Sequence, residues 1–188
     1  MAERSENVIM ADVQDHLQNM PENNIDVQQL IRNMKAGLDQ YLQEHNRKNP
    51  LFIGIHTGGV WVAQQLHNLY CSSLPLGKLN IAFYRDDFSR IGLHPRVTPS
   101  SLPFDVSDRH VILIDDVLFT GRTVRAAMNE LFDYGRAASI CLAVLVDRGG
   151  RELPIQADVA GKHLDLEANQ HVKLSGPEPL ALEITTAE

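Results

Sequence analysis

Cysteine is scarce in this chain of 188 residues, which contains two, Cys71 and Cys141. They are far apart in the sequence and form no CxxC pattern. This spacing argues against a disulfide scaffold and against a thiolate metal site. The sequence predicts that each cysteine is a small buried apolar residue.

The chain also has no long apolar run and no excess of positive charge. No run approaches the roughly 20 residues needed to span a bilayer, and residues 1–20 do not follow the basic-then-apolar plan of a signal peptide. We therefore expect a cytoplasmic protein. The net charge of −7 weighs against a general nucleic-acid-binding surface, although it leaves room for a local basic patch.

The remaining composition is that of a globular protein, with 44% hydrophobic and 22% charged residues. The length suits one sizeable core, so residues 1–188 are expected to form a single domain. Residues 1–20 are polar and expected to be loosely held. A helix of about five turns should follow, with Asp26 as its N-cap and Gln29 as the capping-box partner. Its apolar stripe runs from Val27 to Tyr41.

Short apolar segments then alternate with amphipathic ones, which indicates an α/β fold with a parallel sheet of about five strands. The strongest predicted strands are Leu51–Ile55, Leu79–Tyr84, Val111–Ile114 and Ser139–Val146, and a helix is expected from Thr123 to Tyr134, closed by Gly135. Residues 85–107 should form a long loop or irregular hairpin. A small hood is expected from the N-terminal segment and residues 155–188. Ligands of such sheets bind beyond the carboxyl ends of the strands.

The most informative stretch is residues 111–123, an apolar strand that ends in Asp115 and Asp116 and continues into a turn opening a helix. Backbone N–H groups at the helix start, with the hydroxyls of Thr120 and Thr123, suit a phosphate dianion. Gly121 allows the backbone to approach that anion closely. The carboxylates suit sugar hydroxyls or a cation rather than the phosphate itself. Phosphoribosyl pyrophosphate (PRPP) carries all of these groups.

The same stretch resembles the PRPP-binding signature of type I phosphoribosyltransferases. Together with Tyr84–Ser89, and with Ala143–Gly149 followed by Arg151–Ile155, it resembles the PyrR family of bifunctional pyrimidine-operon regulators and uracil phosphoribosyltransferases. The resemblance covers about residues 51–162. It implies the type I phosphoribosyltransferase fold, formation of UMP and pyrophosphate from uracil and PRPP, and a homodimer or homotetramer.

The resemblance also implies roles for individual residues. Asp115 and Asp116 would hold the ribose hydroxyls, with one assisting proton removal from uracil, and Arg85 would join them in catalysis. Mg²⁺ would arrive with PRPP and lie near Asp115, Asp116 and Asp147, without a dedicated protein site. The pyrophosphate loop, in which such enzymes often hold a cis peptide, would be Thr57, Gly58 and Gly59. The other nucleotide-binding residues would be Val117, Leu118, Phe119, Thr120, Gly121, Arg122, Thr123, Asp147 and Arg148.

One departure from the family is visible. Known members commonly carry Lys and Arg where this chain has His56 and Gly59. Two positive charges near the pyrophosphate are thus missing, so PRPP should bind more weakly unless Arg85, Arg96 or Arg148 compensates.

Two other functions stay open on the sequence. The first is an RNA-binding attenuation regulator with little catalysis, which would use basic residues such as Arg32, Lys35 and Arg125 to bind a pyrimidine-operon leader. Acidic neighbours on the first helix weaken that case. The second is a type I enzyme that acts on a purine base, because the PRPP motif alone does not define the base.

Overall fold

The computed structural model describes residues 25–81 and 99–187. The helices in these ranges are α1 (Val27–Glu44), α2 (Gly58–Leu69) and α3 (Arg122–Asp133). The strands are β1 (Leu51–Ile55), β2 (Gly77–Leu79), β3 (His110–Leu118), β4 (Ser139–Asp147), β5 (Val159–His163), β6 (Gln170–Ser175) and β7 (Ala181–Thr186).

Five strands form one sheet in the order β2-β1-β3-β4-β5, and every neighbouring pair is parallel. The predicted α/β fold with a parallel sheet of about five strands is confirmed. Strands β6 and β7 form a separate antiparallel pair. All five strands of the main sheet therefore end on the same side. We call the side where the strands end the carboxyl edge, and the side where they begin the amino edge.

Side chains of the central strands are buried on both faces of the sheet. In β3, Ile112 and Ile114 pack in the core under α1 and α2, whereas Val111 and Leu113 pack in the core under α3. Burial on both sides explains why these strands are continuous apolar runs instead of alternating patterns.

Helix α1 begins at the predicted cap. The Asp26 carboxylate accepts a hydrogen bond from the Gln29 backbone N–H at 3.1 Å. The reciprocal bond expected from the Gln29 side chain was wrongly predicted, because that amide bonds to Asn33 and Arg32 along the helix surface. Helix α3 ends as expected, with Gly135 at φ +141° just beyond its C-terminus.

The second strand differs most from its prediction. It was expected at Leu79–Tyr84, yet β2 starts at Gly77 and ends at Leu79. Its partner β1 ends at Ile55, opposite Leu79, so the ladder has no further strand to pair with. Residues 82–84 lie outside the described residues, as do the loosely held segment expected at 1–20 and most of the long loop at 85–107.

Three further expectations can be compared with the structure. The segment Val159–His163, assigned to the hood from the sequence, is instead the outer strand β5 of the main sheet. The hood was expected to combine the N-terminal segment with residues 155–188. In the structure, Ile25 forms a β-bridge to Leu182 of β7, which links the N-terminal side of α1 to the β6–β7 pair. Cys141 is buried as predicted, but Cys71 is exposed in the turn after α2. No helix in the described ranges is long and apolar enough to cross a membrane.

Candidate active site

The acidic residues singled out in the sequence lie at the carboxyl edge. Asp115 and Asp116 are near the end of β3, and Asp147 is the last residue of β4, paired with Leu118 across the ladder. Asp115 and Asp147 are buried, with 4% and 5% of their surface exposed. Buried carboxylates need polar partners, and Asp115 accepts a hydrogen bond from the Asp116 backbone N–H at 3.0 Å.

The loop between β1 and α2 contacts these carboxylates directly. A Cβ on Gly59 would lie 2.6 Å from the Ile114 carbonyl oxygen and 2.9 Å from the Asp115 Cα. A Cβ on Gly58 would collide with the Asp116 carboxylate. Both positions thus require glycine for close approach, and the two loops predicted from separate parts of the sequence meet at one place.

A cis peptide bond joins His56 to Thr57 at the start of the same loop. The resemblance implied a cis peptide in this loop, and the structure has it directly before Thr57, the first residue of the predicted loop. Burial, with a smaller contribution from the Lys78 charge, lowers the pKa of His56. The imidazole therefore favours its neutral form, so it does not replace the positive charge that family members commonly carry at this position.

The turn from β3 to α3 has the geometry expected of a phosphate cradle. Gly121 caps α3 with φ +88°, a left-handed conformation that favours glycine. The Arg122 backbone N–H donates to Thr120 Oγ1 at 3.3 Å, and Thr123 lies in the first turn of α3. Exposed N–H groups at such a helix start attract anions.

Two residues predicted in this turn have other contacts. The Leu118 side chain is 1% exposed and packs in the core, and its carbonyl accepts a hydrogen bond from the Arg148 N–H at 3.1 Å. The Arg122 guanidinium forms an ion pair with Glu152 at 2.9 Å. Val117 is half-buried, and Phe119 is 39% exposed.

Beside the end of β4 lies a residue that the sequence analysis missed, His163. Asp147 accepts a hydrogen bond from the Gly149 N–H at 3.1 Å, and its other carboxylate oxygen lies 3.6 Å from His163 Nδ1. His163 ends β5, so its strand-end position was the available signal, but that segment had been assigned to the hood. Arg148 is buried, with its guanidinium carbon 3.8 Å from the centre of the Phe119 ring.

The basic residues proposed for RNA are not a free cluster. Arg32 pairs with Asp26 at 3.4 Å, and Lys35 pairs with Asp39 at 2.7 Å. Arg125 is exposed on α3. The expected catalytic Arg85, and Arg96 of the same loop, lie outside the described residues.

The described residues contain no group of three or more His, Cys, Asp or Glu side chains that could hold a metal ion. The carboxylates at the carboxyl edge nevertheless supply the hard oxygen donors that Mg²⁺ prefers. An ion that arrives with other ligands already bound would need one or two of them.

Comparison with known proteins identifies this arrangement. Residues 23–174 match the phosphoribosyl transferase domain family, so the chain is a phosphoribosyltransferase. It is 63% identical over 162 residues to the bifunctional protein PyrR of Nitrosococcus oceani, covering 85% of this chain and 92% of that protein. The PyrR of Pseudomonas syringae pv. tomato is 56% identical over 156 residues, covering 83% and 92%. The chain belongs to the PyrR family.

A solved structure supports the fold. The hypoxanthine phosphoribosyltransferase of Trypanosoma cruzi superposes with a TM-score of 0.61 and 16% identity, covering 86% of this chain and 94% of that chain. At this identity the likeness concerns the fold and not the base.

Proposed function

We propose that this protein transfers the phosphoribosyl group of PRPP to uracil, giving UMP and pyrophosphate. The observation that carries the proposal is the contact of Gly58 and Gly59 with Asp116 and Asp115. This contact brings the expected pyrophosphate loop within reach of the carboxylates expected to hold the ribose. Such spacing suits a single ligand with a diol and a neighbouring pyrophosphate.

In this proposal the residues position the ligand more than they react with it. Asp115 and Asp116 accept hydrogen bonds from the ribose hydroxyls, and the turn from Thr120 to Thr123 binds the 5-phosphate. A uracil ring nitrogen then loses its proton, with Asp115 or Asp116 assisting, and forms a bond to the anomeric carbon as the bond to pyrophosphate breaks. Orientation and charge neutralisation supply most of the acceleration in such a displacement.

Mg²⁺ bound to PRPP would neutralise the departing pyrophosphate. Asp115, Asp116 and Asp147 are the residues whose oxygens suit it, and their strand-end positions support that role. Because His56 favours its neutral form, the further positive charge is expected from Arg85 or Arg96. A single domain with a hood, a homodimer or homotetramer, and a cytoplasmic location stay predictions.

A panel of bases tests the reaction. Purified protein with magnesium PRPP is given uracil, hypoxanthine, guanine or orotate, and pyrophosphate release is measured. We expect release with uracil. Release with hypoxanthine or guanine alone would favour the purine alternative, and release with none of the four bases would refute the proposed transferase activity.

Regulation through RNA is the second proposed function, and family membership is what supports it. The relatives are named bifunctional PyrR proteins, whereas Arg32 and Lys35 are already paired with carboxylates. A gel shift with a pyrimidine-operon leader transcript, with and without UMP over a salt series, tests it. We expect the protein to bind the transcript, and more tightly with UMP. If no RNA shift is seen even at low salt, RNA regulation is refuted and the transferase activity is the remaining proposed function.

A further inference from the structure

Arg148 differs from the other arginines in the described residues because it is buried. It is 7% exposed, and with Asp115 and Asp147 it makes up the buried charged residues of the described chain. Its Nε has no hydrogen-bond partner within those residues. Burying a charge is costly unless the surroundings compensate. A guanidinium so placed calls for a specific contact.

That contact is the ring of Phe119. The guanidinium carbon lies 3.8 Å from the ring centroid, which is the geometry of a cation stacked on an aromatic face. Such contacts are strongest when the cation is withdrawn from water, and the planar guanidinium stacks better than an ammonium. The pair therefore fixes the Phe119 side chain.

Gly150 restricts the same ring at another point. This glycine has φ +74°, and a Cβ placed on it would lie 2.5 Å from Phe119 Cε2. The ring thus contacts the guanidinium and also lies close to the backbone of the turn after β4. Gly149 has a similar φ of +70°, yet a Cβ there would meet nothing within 4 Å.

Phe119 immediately precedes the turn proposed to bind phosphate, and backbone bonds tie that turn to the same segment. The Arg148 N–H donates to the Leu118 carbonyl at 3.1 Å, and the N–H groups of Glu152 and Leu153 donate to the Thr120 carbonyl at 3.1 and 3.2 Å. The turn is therefore held by the segment 148–153, with the stacked pair as its side-chain contact.

From this geometry we infer that Arg148 is a positioning residue: by stacking on Phe119 it fixes the turn Thr120–Thr123 in the conformation that binds the phosphate of PRPP. This inference rests on the proposed function for the identity of the ligand. It replaces the expectation that Arg148 itself binds the nucleotide and compensates for the missing charges near the pyrophosphate. A positioning role makes Arg148 and Phe119 act as one unit, whereas direct contact would make them independent.

A double-mutant cycle separates these roles. Arg148→Lys keeps the charge and removes the planar stack, and Phe119→Leu removes the ring. We expect each to weaken magnesium PRPP binding about tenfold, seen in calorimetry and in KM for PRPP, with a smaller change in kcat. The double variant should be no worse than either single variant, and Phe119→Tyr, which keeps an aromatic ring, should bind PRPP more tightly than Phe119→Leu.

A glycine pair tests the same idea without altering either stacking residue. Gly150→Ala would push on the ring and should weaken PRPP binding, whereas Gly149→Ala carries a similar backbone penalty without that contact and should change binding less. Thermal unfolding of each variant checks that it is folded, and the glycine pair decides the matter if Arg148→Lys does not fold.

Several results would overturn the inference. Additive losses in the cycle would do so, as would an Arg148→Lys variant that binds PRPP normally, a loss confined to kcat, or equal effects of the two glycine variants. PRPP binding distinguishes this failure from that of the proposed function: a wild type that binds PRPP but makes no UMP refutes the reaction and leaves the stack testable. A wild type that binds no PRPP overturns both.

Discussion

The two edges of the central sheet differ in the residues that the strands present. At the carboxyl edge, Asp115, Asp116 and Asp147 meet two glycine-containing turns. At the amino edge, Arg47 and Arg109 both lie close enough to His110 to lower its pKa, after the larger effect of burial. The Asp158 carboxylate, also at this edge, accepts a hydrogen bond from the Leu142 backbone N–H at 2.7 Å.

The amino edge also contains an open cleft of about 490 Å³. Its lining includes Asn49, Tyr70, Cys71 and Arg109, and the Arg109 guanidinium donates to the Asn49 carbonyl at 3.1 Å. There the polar groups close turns with one another. At the carboxyl edge, Gly58 and Gly59 instead let the backbone of one loop lie directly against the carboxylates that follow β3.

Removing the acids tests this division most severely. Replacing Asp115 and Asp116 together by Asn removes two charges that face the ribose in the proposed complex, so we expect kcat/KM for UMP formation to fall roughly 10²–10³-fold. Asp105→Asn, in the loop before β3, is the matched control and should leave the rate unchanged. Equal activity of the double variant and the control would abolish the distinction between the edges.

A second comparison uses one glycine from each region. Gly59→Ala would press against the backbone at Ile114 and Asp115, so we expect a loss of about 1–3 kcal/mol in the free energy of unfolding, along with weaker PRPP binding. Gly77→Ala, in β2, would meet the ends of Leu102 and Phe104 at 2.8 Å, and those side chains can move aside. Denaturant unfolding of both variants checks this order, and a larger loss for Gly77→Ala would contradict it.

Lowering the pH should reduce the stability contributed by one histidine at each edge, His56 and His110. The pKa values of His56 and His110 are both lowered, mainly by burial, so the unfolded chain binds these protons more readily. Their contribution to stability is full above the unfolded pKa of about 6.5 and is lost as the pH falls through the folded values. His56→Gln and His110→Gln should each flatten the fall in unfolding midpoint between pH 7.5 and 5. An unchanged slope in both variants would contradict the assigned cause.

The smallest effect is expected from the ion pair beside the phosphate turn. Glu152→Gln removes an exposed partner of Arg122, so the free energy of unfolding should change by less than about 1 kcal/mol. Loss of this attraction to Glu152 should make the Arg122 charge more available to the phosphate and lower KM for PRPP by up to about fivefold. Lys35 and Asp39 form the comparable pair on α1, and Asp39→Asn should leave that KM unchanged. A higher KM in Glu152→Gln would show that Glu152 helps to position Arg122.

Much of the fold could be predicted because local patterns and tertiary packing agree. Apolar runs such as 111–114 and 139–146 are buried on both faces of the sheet. Gly135 follows the end of α3 with a positive φ, a backbone conformation that favours glycine. Strand β2 was misplaced because its end depends on where β1 ends, which is a property of the pairing. Strand β5 was assigned to the hood, and its place in the main sheet comes from its pairing with β4, which is likewise a property of the pairing.

The predicted site residues came from strand ends, and the structure describes most of them around one edge. What the sequence could not reveal was contact between distant loops. Nothing in the order of residues shows that Arg148 stacks on Phe119, that Glu152 pairs with Arg122, or that His163 lies beside Asp147. These pairs arise from the crossovers that place β4 beside β3 and β5 beside β4.

The unequal placement of the two thiols makes the protein suitable for selective labelling. Cys71 is exposed beside the cleft at the amino edge, whereas Cys141 is 3% exposed and burial, with a smaller effect of Asp158, raises its pKa to about 12. Since thiolates are the species that react with maleimides, a fluorophore should attach at a single position of the unmodified chain. That dye would report on self-association or RNA capture from the side of the molecule opposite the proposed nucleotide site.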